Sequence, residues 1–268
     1  MEILQAIILG IVEGLTEFLP VSSTGHLIVA EDMLGYYDAS KMFAIVIQMG
    51  AIAAVMWFYR RDLRSLIKGL VEGDKQVRRF WLAWILATIP AGIMGLLFDA
   101  QIEAYAITAT VAIALIAGGI AIWLIEHNLR LRPSSNEQLQ RITFKQAILV
   151  GLYQMLALIP GVSRSGATIM GGLLAGLNRV TATAFSFYLG IPILLVAGLY
   201  KLATGDVTEV PGGIPALAAG VIASFITALF VVSWLLRYVS HRDFKPFAYY
   251  RIAFGILLLV LVAAGVLG

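Results

Sequence analysis

Six uninterrupted apolar runs, at 42–59, 80–98, 104–125, 180–200, 213–236 and 252–268, constrain this chain more than any other feature. Each has roughly the ~17–25 residues that a helix needs to cross a hydrocarbon layer about 30 Å thick. Composition agrees: 60% of the residues are hydrophobic and 13% charged, against about 45–50% and 25% in soluble domains. The expected fold class is an all-α polytopic membrane protein.

Several function classes drop out at this point. The 268 residues include no cysteine, which excludes disulfides, thiolate metal sites and cysteine nucleophiles. The N-terminus, MEILQAIILGIVEGL, lacks a basic leading segment and carries Glu2, so it does not read as a cleaved signal. The net charge of +3 is explained by loop charges that set topology, and no nucleic-acid partner is expected.

Those charges alternate between loops. The segment 60–79 holds Arg60, Arg61, Arg64, Lys68, Lys75, Arg78 and Arg79. The segment 126–145 holds Arg130, Arg132, Arg141 and Lys145, and 237–251 holds Arg237, Arg242, Lys245 and Arg251. Between them, 99–103 and 201–212 carry Asp99, Glu103, Asp206 and Glu209 against a single Lys201. Lysine and arginine mark the cytoplasmic side, so six spans with both termini outside the cytoplasm satisfy the pattern.

Two further apolar segments, 3–34 and 146–178, are each interrupted by a proline, glycines and hydroxyls: LPVSSTGH at 19–26 and IPGVSRSG at 159–166. To keep the charge pattern each must leave the membrane on the side it entered, as a re-entrant helix hairpin. Irregular backbone at that depth is tolerated only inside protein or along a wet cavity. A shift of 141 positions aligns Ala6 with Ala147, Ile7 with Ile148, Gly10 with Gly151 and Leu15 with Leu156, then Val21 with Val162, Ser22 with Ser163 and Gly25 with Gly166. Each hairpin precedes three spans, and three is odd, so the second half lies upside down. The chain therefore reads as one membrane domain, 1–268, built from inverted repeats at 1–125 and 146–268. Broken helices in such repeats point to a site near the midplane where the breaks meet.

The two breaks differ in chemistry. EGLTE places Glu13 and Glu17 on one helical face, followed by Ser22, Ser23, Thr24 and His26. The second copy has Gln154 and Leu158 at the glutamate positions and Arg164 in place of Ser23. Glycines and prolines alone would be packing and kink residues, Thr16 and Thr227 are expected to bond back to helix carbonyls, and a lone His26 would be an ordinary buried histidine. Four ionisable groups beside two hydroxyl-rich breaks are not explained that way, because charge at membrane depth is costly and marks function. SRSGAT at a helix start is suited to an anion: free N–H groups, the positive dipole end, donors from Ser163, Ser165 and Thr168, and the planar fork of Arg164. Gly161 and Gly166 let the backbone come close. The paired carboxylates repel that anion unless a hard divalent cation, Mg²⁺ or Ca²⁺, bridges them to phosphate oxygens. The site reads as phosphate or diphosphate chemistry at the membrane.

EGLTEFLPVSSTGH (13–26) together with PGVSRSGAT (160–168) resembles the undecaprenyl-diphosphate phosphatase family linked to bacitracin resistance. The likeness extends through the spans. It implies hydrolysis of a C55 polyprenyl diphosphate to the monophosphate at the outer face of a bacterial inner membrane, with a divalent-metal requirement. It also implies an acidic pair at Glu13 and Glu17, a functional histidine at His26 and hydroxyl at Ser23, and phosphate-binding residues at Ser163, Arg164 and Thr168. Phosphatidate-phosphatase-like enzymes are excluded: Met170 stands where their second histidine would follow the SR pair at 163–164, and no PSGH occurs.

The expected mechanism has Arg164, the N–H groups after Gly161 and a metal on Glu13, Glu17 or both binding the diphosphate. Ser23 attacks with Glu17 or His26 as base, and direct attack by water is the alternative. Ser22, Ser165 and Gly166 complete the expected substrate contacts. A carrier that flips a lipid phosphate or moves an anion with protons would use the same midplane site, whereas a scaffold leaves the buried charges unexplained. A homodimer is the assembly considered beside the monomer, and Gln48 either lines the cavity or bonds a neighbouring helix.

Overall fold

The structure, a computed structural model, describes residues 2–38, 40–98, 101–102, 107–129 and 138–267. The described residues form helices and no strand. In chain order these are α1 (Glu2–Thr16), α2 (Ser23–Leu34), α3 (Met42–Phe58), α4 (Arg60–Val71), α5 (Lys75–Leu97), α6 (Thr108–Asn128), α7 (Phe144–Met155), α8 (Arg164–Leu174), α9 (Arg179–Thr204), α10 (Gly213–Val239) and α11 (Lys245–Ala263). Among them α5, α6, α9, α10 and α11 are long and apolar enough to cross a membrane. A sixth span is counted if α3 and α4, which meet at a 71° bend, are taken together. The protein is a multi-pass helical membrane protein. Asp99, Glu103, Arg130 and Arg132, which entered the charge pattern, lie outside the described residues.

Two charge assignments need correction. Residues 60–79 are not a loop: Arg60–Val71 is an amphipathic helix, and only Glu72–Asp74 separates it from α5. Leu63, Leu66, Ile67, Leu70 and Val71 recur at helical spacing within the basic run, the pattern of a helix that lies in an interface plane. Arg251 is not a loop charge either. It sits inside α11 and is fully buried.

Small residues set how closely the helices approach. α1 packs along α10, and a Cβ at Gly14 would lie 2.5 Å from the Ser224 carbonyl oxygen. α7 packs along α5, where a Cβ at Gly151 would lie 2.7 Å from the Ala87 carbonyl oxygen. Each hairpin thus seats its first helix on a span from the other half of the chain. Pro192 inside α9 frees the carbonyl of Tyr188 four residues before it, and Trp84 Nε1 of α5 donates to that oxygen at 2.9 Å. Thr16 and Thr227 bond back to the carbonyls of Val12 and Ala223, as expected. On the face with the basic loops, Glu126 accepts from Arg179 Nε at 2.9 Å, from Arg179 Nη2 at 2.5 Å and from the Phe244 N–H at 3.1 Å, tying α6, α9 and the start of α11 together.

Candidate active site

Both breaks open onto one cavity of about 210 Å³. Glu17, Ser22, Ser23 and Thr24 line it from the first hairpin, Gln154, Gly161, Ser163 and Arg164 from the second, and Gln48 from α3.

Glu17 is the hinge between the two hairpins. Ser23 Oγ donates to Glu17 Oε2 at 2.7 Å, and Arg164 Nη2 donates to Glu17 Oε1 at 2.9 Å. The pair is largely buried, with 8% of the Glu17 side chain and 11% of Arg164 exposed. Burial of a charge pair demands good geometry and further partners. Arg164 Nη1 supplies one by donating to the Ser186 carbonyl at 2.9 Å, and its Nε is left with no protein acceptor.

The backbone at the two breaks is strained in the same way. Ser22 has φ 70° and Ser163 φ 74°; each immediately precedes the second helix of its hairpin, and the two are equivalent under the 141-residue shift. A serine in this region is uncommon and costs about 1–3 kcal/mol, which persists only where the surroundings over-determine it. The turns aim the N-terminal ends of α2 and α8 at the same cavity, and such ends carry unpaired N–H groups and partial positive charge. Sequence placed the anion-binding helix end at the second break. There, however, Ser163 Oγ caps its own helix by accepting from the Gly166 N–H at 3.1 Å. No side chain caps α2, so the first break offers the freer N–H groups.

The remaining expected site residues divide. Ser165 Oγ donates to the Leu19 carbonyl at 2.8 Å, pinning one break to the other. Thr168 Oγ1 lies 2.8 Å from the Arg164 carbonyl oxygen and 2.7 Å from Ser186 Oγ. Neither lines the cavity, nor does Gly166; all three are buried behind it. His26 also stays off the cavity lining. Its Nδ1 lies 2.8 Å from the Ser22 carbonyl oxygen, its Nε2 lies 2.6 Å from the Tyr250 hydroxyl, and its ring stacks on Phe254 at 4.4 Å.

Glu13 is fully buried one turn before Glu17, and neither of its oxygens has a hydrogen-bond partner. The contrast with the second repeat is informative. Gln154, at the matching position, is equally buried; its amide nitrogen donates to the Ala87 carbonyl at 3.1 Å, and only its Oε1 is without a partner. An orphaned buried carboxylate beside a second one fits a hard cation with oxygen ligands. Among the described residues no group of three or more His, Cys, Asp or Glu is placed to hold a metal, so two carboxylates are the most the protein offers here.

Sequence reasoning missed three parts of this site. Arg251 donates to five backbone carbonyls: Leu115 from Nε, Pro20 and Val162 from Nη1, Ala114 and Gly161 from Nη2. It therefore holds Pro20 of the first break and Gly161 and Val162 of the second with one guanidinium. Its signal was its place in YYRIAFG, with apolar residues on both sides. Ser186 and Tyr250 left no comparable mark.

The family described as bacitracin resistance protein BacA matches residues 6–257. The chain is 48% identical to undecaprenyl-diphosphatase 1 of Paraburkholderia xenovorans over 268 residues, covering 98% of this chain and 96% of that protein. It is 49% identical to the undecaprenyl-diphosphatase of Methylococcus capsulatus, covering 96% and 93%, and 46% identical to that of Nitrosomonas europaea, covering 98% and 96%. A match across nearly the whole chain, with full-length relatives at nearly half identity, means that this protein belongs to the bacitracin resistance protein BacA family.

Proposed function

We propose that the cavity between the two breaks is where this membrane hydrolase, an undecaprenyl-diphosphatase, removes the terminal phosphate of its lipid substrate. The products are undecaprenyl phosphate, returned as carrier lipid for cell-wall synthesis, and inorganic phosphate. Loss of the diphosphate form is consistent with the bacitracin resistance that names the family. The observation that carries the assignment is the Ser23–Glu17–Arg164 chain of hydrogen bonds. It brings a hydroxyl, a carboxylate and a guanidinium together in one cavity, which supports the roles of nucleophile, base and phosphate-binding cation.

In this reading Glu17 takes the proton of Ser23 as Oγ forms a bond to the terminal phosphorus. The bond from that phosphorus to the bridging oxygen breaks, and the monophosphate lipid leaves with the electron pair. Glu17 passes that proton to the leaving monophosphate. Water, deprotonated by the restored carboxylate, then cleaves the phosphoserine, and the proton returns to Ser23 Oγ. The 2.7 Å contact is within the reach that a nucleophile and its base require, which supports this assignment. His26, held between Ser22 and Tyr250, acts as a positioning residue for the first break. The uncapped start of α2 and Arg164 stabilise the charge that spreads over the equatorial oxygens, where most phosphoryl-transfer catalysis lies. Ser163, Ser165 and Thr168 hold the second break in shape around Arg164. Glu13 and Glu17 would hold Mg²⁺ or Ca²⁺, with the remaining ligands from substrate and water; such an ion supplies neutralisation of phosphate charge.

The proposed architecture is six spans plus two re-entrant hairpins in an inverted repeat, at 1–125 and 146–268. The crossed seating of α1 on α10 and α7 on α5 supports it, with Gly10 and Gly151 at equivalent contacts. The charge pattern supports a site that opens to the outer face of the inner membrane.

The test is phosphate release from undecaprenyl diphosphate by purified protein, with divalent metal and with chelator, beside Glu17→Ala, Ser23→Ala and Arg164→Ala. Loss in all three variants and with chelator is the expected result, together with a phosphoserine trapped on rapid quench of wild type. Release that persists in Ser23→Ala assigns the attack to water. A carrier would retain liposome flux without Ser23 and release no phosphate.

A further inference from the structure

The polar cavity does not end at its polar wall. Leu158 and Pro160 line it and also line an apolar cavity of about 430 Å³ between the end of α5 and the second break. Thr110 and Ile159 line that second cavity and also a third, of about 440 Å³, between α6 and α7–α8. The three are therefore neighbours, arranged in turn around the segment Leu156–Pro160. On α6 the path along them follows one face at helical spacing, in which the small residues Ala114, Ala117, Gly118 and Ala121 lie between Thr110 and Ile113 at one end and Ile122 and Ile125 at the other. From Thr110 to Ile125 it runs about 22 Å at 1.5 Å per residue. Tyr153, Leu156 and Met170 form the opposite wall.

Resting on the phosphatase reading, we infer that this path holds the isoprenoid chain of the substrate, and that the face of α6 from Thr110 to Ile125 makes the enzyme selective for long chains. Bilayer acyl chains gain nothing by entering, because lipid tails are as apolar as the groove. The substrate's own chain differs because it is tethered. A diphosphate bound at Ser23 and Arg164 places the first isoprenoid units at Leu158 and Pro160, and the rest of the chain is then present at high effective concentration along the groove. The small residues of α6 provide the width that the methyl-branched chain requires.

Ala117 and Ala121 are exposed, so a larger side chain there fills the groove without disturbing the core. The measured quantity is the ratio of kcat/KM for the C55 diphosphate to that for the C15 diphosphate. In Ala117→Trp and Ala121→Trp this ratio is expected to fall about tenfold or more, through loss on the C55 side. Ile226→Trp, on the exposed outer face of α10, is the control and keeps the wild-type ratio. An unchanged ratio in the α6 variants, or an equal loss on both substrates, overturns the proposal while leaving the phosphatase reading in place. Wild type inactive on both substrates overturns that reading and the proposal with it. A C55 diphosphate carrying a photoreactive group near its distal end gives a second readout, labelling α6 in wild type. Competition of that label by unlabelled C55 diphosphate supports the inference. Equal competition by phosphatidylglycerol shows a general lipid groove and overturns it.

Discussion

Replacing Arg251 by methionine removes a side chain from outside the hairpins that bonds to both breaks. Its guanidinium makes five hydrogen bonds to carbonyl oxygens, between 2.9 and 3.3 Å long, and no carboxylate among the described residues pairs with it. Buried polar contacts in membrane proteins average about 0.6 kcal/mol in double-mutant cycles, so five sum to about 3 kcal/mol. The larger values measured for charged donors, about 1.5–3 kcal/mol each, would overcount, since Arg251→Met also removes a desolvated charge. A loss of about 3 kcal/mol corresponds to a fall of about 6–12 °C in melting temperature for a chain of this size. The effect on turnover is separate. With Pro20, Gly161 and Val162 released, Ser23 and Arg164 lose their fixed separation, and a misplacement of about 1 Å costs roughly 100-fold in rate. Arg251→Lys is expected to fall between wild type and Arg251→Met, because a compact ammonium with three donors cannot reach carbonyls on all sides. The assays are thermal unfolding in detergent and phosphate release under saturating substrate. Wild-type melting temperature and rate in Arg251→Met would refute the assignment of Arg251 as the clamp between the breaks.

Three further outcomes follow from the geometry. In Gly190→Ala the new methyl would lie 2.9 Å from the guanidinium carbon of Arg164; kcat is expected to drop by about 10–100-fold with the melting temperature close to wild type, and an unchanged kcat would show that Arg164 has room to move. Ser22→Gly relieves the backbone strain at φ 70° without losing a capping bond, so it is expected to gain about 1 kcal/mol of stability while slowing phosphate release; a lower melting temperature would contradict the strain argument. Glu126→Ala leaves the Arg179 guanidinium without its carboxylate partner and is expected to cost about 3–5 kcal/mol in stability, measured by chemical unfolding, with no change in the C55 to C15 ratio.

The repeated breaks were legible because function concentrates unusual residues: serines, glycines and a lone arginine stand out against apolar sequence. The same contrast placed Glu13, Glu17, Ser23 and Arg164 together before any coordinates. What sequence could not provide was direction. Ser165 and Thr168 lie in the same motif as Arg164, yet a helix turns neighbouring side chains to different sides, and these two bond to Leu19 and Ser186 instead of facing the cavity. Arg251 was hidden by the positive-inside pattern, which treats any arginine at the edge of a basic loop as a topology signal. Helix α4 was hidden for the same reason, its charges outweighing an apolar face that spacing alone would have revealed.

The crossed seating of the hairpins bears on biosynthesis. Gly14 rests on the backbone of Ser224, so α1 leaves the ribosome some 210 residues before the surface it packs against. At about 5–20 residues per second, that interval lasts on the order of 10–40 s. During it the first hairpin, with two buried glutamates and without α10, the helix it packs against most, depends on the insertion machinery for shelter. The ion pair of Glu17 and Arg164 closes only when the second half arrives, so the cavity between the breaks is not assembled until much of the chain is in the membrane.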